Sequence, residues 1–150
     1  MRRYSTSLLT VYTIVLFSCS SADKKIPEIA TDFCNCFNKM EKSISQRTID
    51  ILINVSNADD PQASLKEEMD KLSPEEFKKV KAEISVLRLT DDDRSELGAC
   101  IREAEKKYGK AYTTDQKKFG EKIIKELESR GDCKLTTAVW KFGLKVDNKK

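Results

Sequence analysis

The sequence predicts an all-α fold, a single helical bundle of about four to six helices that disulfides hold together. Apolar side chains recur at steps of three and four residues along most of the chain, which is the spacing of one helix face. Capping residues precede most of these stripes. An even set of four cysteines follows residue 19, which suits two disulfides in an exported protein.

The N-terminus has the layout of a secretory signal peptide. Arg2 and Arg3 supply positive charge, an apolar run of about ten residues extends from Leu8 to Phe17, and small residues surround Cys19. Because a helix needs about 20 apolar residues to cross a bilayer, this run is too short for a stable transmembrane anchor. The pattern therefore indicates export.

Leu16-Phe17-Ser18-Cys19 resembles the lipobox of bacterial prolipoproteins. In that family an aliphatic residue stands three before the cysteine that receives the lipid, and a small residue directly precedes it. The resemblance implies lipidation of Cys19 and attachment to a membrane of the cell envelope. It covers only residues 1–25.

Two further features bear on the destination of the chain. Ser20, and not aspartate, directly follows Cys19. In this respect the chain resembles lipoproteins that are sent on to the outer membrane. The alternative is ordinary cleavage after Ala22, which releases a soluble protein.

The organisation that follows is a signal peptide over 1–18, a lipidated tether over 19–26, a helical domain over 27–146 and a polar tail over 147–150. Removing 18 residues from 150 leaves 132, enough for one domain with its own core. Loss of two arginines changes 28 basic against 25 acidic residues to 26 against 25. This near balance argues against nucleic acid as a partner, because its binders need a basic face.

The first half of the predicted domain contains three helices. One apolar stripe runs from Ile26 to Val55, and the polar residues up to Pro61 end it. Asp60 and Pro61 start a short helix that extends through Lys71. Ser73-Pro74 with Glu76 forms a capping box for the next helix. Its predicted buried face consists of four apolar residues: Phe77, Val80, Ile84 and Leu87.

The second half contains three more. Thr90 with Asp91-Asp92-Asp93 is expected to start a helix that ends at Gly109, the aspartates being first-turn charge and not a calcium loop. Thr113 with Gln116 starts another, which ends at Gly131. The segment from Cys133 to Val146 fits both helix and strand, and we favour a short helix that frays near Gly143. Its buried stripes, and those of the two helices before it, include Leu97, Cys100, Ile101, Ala104, Tyr108, Phe119, Ile123, Leu127, Leu135 and Ala138.

Acidic residues stand four positions before basic ones on the exposed faces, and each such pair adds a few tenths of a kcal/mol to its helix. The five predicted pairs are Glu67–Lys71, Glu75–Lys79, Glu103–Lys107, Glu121–Lys125 and Glu126–Arg130.

Cys34, Cys36, Cys100 and Cys133 are predicted to form two structural disulfides. On a helix, side chains two residues apart diverge by about 160°, so Cys34 and Cys36 do not bond each other. Each therefore bonds either Cys100 or Cys133, and both assignments stay open. Bonds that close such long loops stabilise by roughly 2–5 kcal/mol each.

Two other uses of these cysteines fit the sequence less well. Cys34 and Cys36 could be a redox-active pair, but a reactive thiol needs a lowered pKa, and these positions lie inside a helix with Asp32 nearby and no histidine in the chain. Zinc binding by all four cysteines is disfavoured because Cys100 and Cys133 are isolated and not in paired ligand arms. We expect no metal and no other cofactor.

The function predicted from these observations is a helical binding or scaffolding module rather than an enzyme. The chain has no histidine, and it contains no recognisable catalytic motif. The prediction requires an apolar or mixed groove and an envelope protein as partner. The alternatives are a thiol–disulfide redox protein that uses Cys34 and Cys36, and a carrier of a small apolar ligand. Lysines surround Trp140 and Phe142 as at membrane surfaces, but we expect these aromatic rings to cap the core.

Overall fold

The computed structural model describes residues 23–87, 92, 94–109 and 116–147. Within them the fold is the expected all-α, disulfide-stapled bundle, and it contains seven α-helices instead of about four to six. A short 3-10 turn, Asp23–Lys25, precedes the first helix. The helices are α1 (Ile26–Glu41), α2 (Gln46–Asn57), α3 (Pro61–Asp70), α4 (Pro74–Leu87), α5 (Glu96–Tyr108), α6 (Gln116–Glu128) and α7 (Lys134–Asp147).

The prediction of a single first helix is wrong, because the apolar stripe from Ile26 to Val55 is divided between two helices, α1 and α2. Ser43 Oγ donates to the carbonyl of Met40 at 2.7 Å and so satisfies a carbonyl at the end of α1. Ser45 stands at the N-cap position of α2 with an extended backbone, ψ 147°. Ile44 lies in the turn and is only 7% exposed, so the apolar pattern continues across the break.

The starts of α3 and α4 confirm the predicted caps. The Asp60 carboxylate accepts hydrogen bonds from the backbone N–H groups of Gln62 and Ala63, both at 3.1 Å. Ser73 and Glu76 cap each other reciprocally: the Ser73 N–H donates to Glu76 at 3.1 Å, and the Glu76 N–H donates to Ser73 Oγ at 3.3 Å.

Helix α4 is held to α2 by one buried apolar contact region and one carboxylate. Val80 packs against Ile51 and Val55 of α2 in a small second core. Glu83 accepts hydrogen bonds from Ser45 Oγ at 2.6 Å and Thr48 Oγ1 at 2.5 Å.

The predicted buried face of α4 is wrong at its N-terminal end. Phe77 is 37% exposed, Ile84 is half-buried, and only Val80 and Leu87 are fully buried. The Phe77 ring is instead covered on one side by Lys81, whose Nζ lies 5.9 Å from the ring centre. The apolar stripe of α4 is therefore longer than the part of the helix that packs against α2.

Helix α5 begins later than predicted, at Glu96. Its N-cap is Ser95, whose Oγ accepts from the Gly98 N–H at 2.8 Å. Asp92 precedes this cap and accepts from the Arg94 N–H at 3.0 Å, so it belongs to a turn and not to the first helical turn. The other residues of the predicted start lie outside the described residues: Thr90, Asp91 and Asp93.

Helix α7 continues past Gly143, so the expected fraying there is wrong. Gly120 allows α6 to approach α7 closely, since a Cβ at that position would lie 3.1 Å from Leu144 Cδ1. Lys145 Nζ donates to the carbonyl of Ala58 at 2.8 Å and ties the end of α7 to the end of α2. These contacts hold the last turns of the helix. Thr113, the predicted start of α6, lies outside the described residues.

The main core lies between α1, α2, α5, α6 and α7, with α1 packed against α5, α6 and α7. Trp140 meets Phe33 edge to face, with ring centres 5.2 Å apart. Phe142 packs against the second core, beside Val55 and Val80. Both aromatic residues of the basic C-terminal segment therefore pack onto core clusters, as expected.

Of the five predicted surface pairs, only Glu126–Arg130 closes to salt-bridge distance, at 3.2 Å. Lys71 bonds Glu68 instead, and Lys107 bonds residues of α1. Helical structure begins at Asp23, inside the stretch expected to be a tether, while residues 1–22 and 148–150 lie outside the described residues.

Candidate functional site

The structure pairs Cys34 with Cys133 and Cys36 with Cys100. The Cα–Cα distances are 5.4 and 5.7 Å, and the bonds join residues 99 and 64 positions apart. Cys34 faces the residue that precedes α7, and Cys36 faces α5. This decides between the two assignments that the sequence left open. It also means that Cys34 and Cys36 do not form one dithiol couple in this structure.

The two disulfides differ in their surroundings. Cys34 and Cys133 are 2% and 0% exposed, whereas Cys100 is half-buried and borders a surface cleft. Asp132 lies close to the first disulfide, and its carboxylate, Cys34 Sγ and Cys133 Sγ all lie within 4.8 Å of one another. Sulfur joined in a disulfide offers no thiolate to a metal, so this group is a disulfide beside a carboxylate and not a ligand set.

A charged cluster joins α5 to α1 next to the second disulfide. Lys107 Nζ lies 2.9 Å from Glu28 Oε1 and 2.9 Å from Asp32 Oδ2. Tyr108, which is 2% exposed, donates its hydroxyl to Asp32 Oδ2 at 2.7 Å. The cluster therefore attaches the last turn of α5 to the first half of α1.

The protonation states in this cluster are fixed around neutral pH. Burial alone would raise the pKa of Asp32, but the Tyr108 and Lys107 donors outweigh it and lower that pKa below its ordinary value. Burial, together with the Asp32 and Glu28 carboxylates, raises the pKa of Tyr108 to about 12. Hydrogen bonding to Tyr108, Glu28 and Asp32 raises the pKa of Lys107. At neutral pH Asp32 is therefore ionised, Tyr108 is neutral and Lys107 is protonated, and these are the forms that make the hydrogen bonds between α5 and α1.

Between α1 and α5 lies a shallow cleft of about 230 Å³. The Cys36–Cys100 disulfide forms part of its wall, and Asp32, Glu103 and Lys107 supply charge. Because Lys107 already contacts two carboxylates of α1, the cleft has little free positive charge to offer a ligand.

A larger groove of about 400 Å³ runs between α2, α6 and α7, and we call it the α2/α6/α7 groove. Ile53 is half-buried and contributes apolar surface to it, while Leu127 and Ala138 border it and are 0% and 3% exposed. Its charged lining is mainly basic, with Glu128 as the single acidic side chain. The basic residues are Arg130, Lys134 and Lys141.

The three cations of the groove are engaged to different degrees. Lys141 bridges the groove, with its Nζ 2.6 Å from Glu128 Oε1 and 2.9 Å from Asn57 Oδ1. Arg130 pairs with Glu126 at 3.2 Å and donates to the carbonyl of Pro27 at 3.0 Å. Lys134 is exposed and has no hydrogen-bond or ion-pair partner among the described residues. Its ammonium group is therefore available to an anionic ligand.

Sequence reasoning placed the four bundle cysteines correctly in disulfides but missed this groove. The basic residues of α7 are evident in the sequence. The α2 residues that form the opposite wall lie about 80 positions earlier in the chain, and no local sequence pattern indicates that the two helices meet. Cys19, the predicted lipidation site, lies outside the described residues.

No protein-family model, no curated protein and no solved structure matches this chain. None of the helices between residues 23 and 147 that the structure describes has the length and apolarity needed to cross a membrane.

The charged cluster yields a testable prediction. Tyr108→Phe removes the hydrogen bond to the Asp32 carboxylate and is expected to lower the free energy of unfolding by about 1–2 kcal/mol at neutral pH. Since the folded-state pKa of Asp32 lies below its ordinary 3.8, this contribution is present above that value and is lost as the pH falls through the lower folded value.

Urea unfolding of the wild type and of Tyr108→Phe, from neutral pH to below pH 3.8, measures the difference in the free energy of unfolding. Asp32→Asn, which removes the carboxylate that accepts the hydrogen bond, is the matched variant. The difference between wild type and Tyr108→Phe should narrow as the pH falls below 3.8. A difference that keeps its full size in acid would show that the Tyr108 hydroxyl does not depend on the ionised Asp32 carboxylate.

Proposed function

We propose that the mature chain is a lipid-anchored binding module of the bacterial cell envelope, attached through Cys19 and directed to the outer membrane. The lipobox resemblance at Leu16-Phe17-Ser18-Cys19 supports the anchor, and Ser20 supports the destination. The two disulfides support export, because such bonds form and persist mainly in oxidising compartments.

The observation that carries the binding function is the α2/α6/α7 groove. It is the mixed surface that a binding module needs, with the half-buried side chain of Ile53 from α2 and basic side chains at the rim. Because the three helices are fixed by the main core and by the Cys34–Cys133 bond, the groove is preorganised.

Charge selects the partner. Arg130 is paired with Glu126 and Lys141 with Glu128, so the positive charge that the groove offers is the exposed ammonium of Lys134, and an acidic segment with one apolar side chain complements it. The partner we propose is such a segment of another envelope protein. The carrier alternative requires an enclosed apolar cavity, and the two clefts described above are open at the surface.

The anchor is tested by the intact mass of the protein extracted from membranes of its own host. We expect a diacyl- or triacylglyceryl adduct on a chain that starts at Cys19, and we expect Cys19→Ala to abolish both the adduct and membrane retention. An unmodified chain that starts at Asp23 would contradict the anchor and would support cleavage after Ala22.

Binding is tested with a fluorescein-labelled, glutamate-rich peptide that carries one central leucine, and with its lysine-rich counterpart. Fluorescence anisotropy should show binding of the acidic peptide only. Lys134→Glu should weaken that binding about three- to tenfold, the effect of reversing one partly exposed charge. The matched control is Lys106→Glu, which makes the same charge change on exposed α5, away from the groove.

Two results would contradict the groove as the site. One is equal affinity for the acidic and basic peptides. The other is an equal loss of affinity in Lys134→Glu and Lys106→Glu, which would indicate attraction to the net charge of the protein and not to this surface.

A further inference from the structure

A second basic surface lies where the chain leaves the tether. It consists of four exposed lysines from the 3-10 turn and from one face of α6, and we call it the juxtamembrane basic face: Lys24, Lys25, Lys122 and Lys125. On α6 the two lysines are three residues apart, so they project from the same side of the helix.

One ion pair joins the 3-10 turn to this side of α6, and one hydrogen bond joins the start of α1 to the residues just after α6. Lys122 Nζ binds Asp23 Oδ1 at 2.5 Å, and Arg130 donates to the carbonyl of Pro27 at 3.0 Å. Lys24 and Lys25 lie in the chain between Asp23 and Pro27, while Lys125 lies between Lys122 and Arg130. The Lys122–Asp23 ion pair therefore brings the 3-10 turn, which carries the exposed Lys24 and Lys25, next to the side of α6 that carries Lys122 and Lys125.

Few acidic groups compensate this surface. In the segments 23–25 and 117–125, the acidic residues are Asp23 and Glu121. Asp23 is bound to Lys122. Glu121 is therefore the one acidic side chain of these two segments that has no ion pair among the described residues. The mature chain as a whole is nearly neutral, whereas these two segments contain six lysines and two acidic residues.

The position of the tether places this surface near the membrane. Cys19 and Asp23 are four residues apart, a distance that the chain spans with at most about 14 Å. If Cys19 carries the lipid, the basic face cannot leave the zone in which anionic headgroups attract lysines by about 1 kcal/mol each.

We propose that the juxtamembrane basic face binds the anionic headgroups of the leaflet that holds the lipid anchor, and so orients the bundle on the membrane. This rests on the proposed lipid anchor. The lipid on Cys19 holds the protein at the bilayer, and the four lysines select which side of the bundle faces it.

The experiment uses the lipidated protein reconstituted on vesicles of phosphatidylcholine alone, or of phosphatidylcholine mixed with phosphatidylglycerol. Lysine acetylation by a soluble reagent, read by mass spectrometry, reports the accessibility of each ammonium group. Lys24, Lys25 and Lys125 should react several-fold more slowly on the anionic vesicles at low salt, and high salt should remove this protection. Lys78 and Lys79 on α4 should react equally on both vesicles.

Variants make the test specific. Lys25→Glu with Lys125→Glu should lower the partition of the unlipidated chain onto anionic vesicles by about tenfold or more. Lys78→Glu with Lys79→Glu makes the same charge change on exposed α4 and should have a markedly smaller effect.

The outcomes separate this inference from the anchor. Flotation with neutral vesicles but equal acetylation on both vesicle types would overturn the basic face and leave the anchor intact. Failure to float with neutral vesicles would overturn the anchor. In that case the partition of the two double variants onto anionic vesicles would still test whether the basic face binds anionic headgroups. Equal partition losses in the two double variants would contradict it.

Discussion

The constraint on which the rest of the structure depends is the placement of two cysteines two residues apart on one helix. Side chains two residues apart on a helix diverge by about 160°, so Cys34 and Cys36 must form disulfides with cysteines of different segments. Cys34 reaches the N-terminal end of α7 and Cys36 reaches α5, and α1 thereby becomes the common support of both. In the described residues α5 packs mainly on α1, so its position depends on this bond and on the Lys107–Tyr108 cluster.

This arrangement separates a supporting side of the molecule from the surfaces proposed to bind. The disulfides and the charged cluster lie on α1, where the shifted pKa values leave ionised groups already bound to one another. The α2/α6/α7 groove and the juxtamembrane basic face carry lysines that retain exposed ammonium groups, such as Lys134 and Lys125. Rigid support of mixed and basic surfaces is what a tethered binding module requires.

Local signals were readable from the sequence, and contacts between distant segments were not. The caps at Asp60 and at Ser73 with Glu76 depend on neighbouring residues, so their pattern predicted them correctly. The break between α1 and α2 was hidden because Ile44 fills an apolar position in the turn. The partner of each cysteine and the groove depend on how helices pack, since helix geometry excludes only the Cys34–Cys36 bond.

The central claim is the pairing itself, and thiol counts in two double variants test it directly. Cys34→Ala with Cys133→Ala should leave Cys36 bonded to Cys100 and give no free thiol in the folded mature chain. Cys34→Ala with Cys100→Ala should leave Cys36 and Cys133 without their native partners and give two free thiols. The reverse result, free thiols in the first variant and none in the second, would contradict the structure.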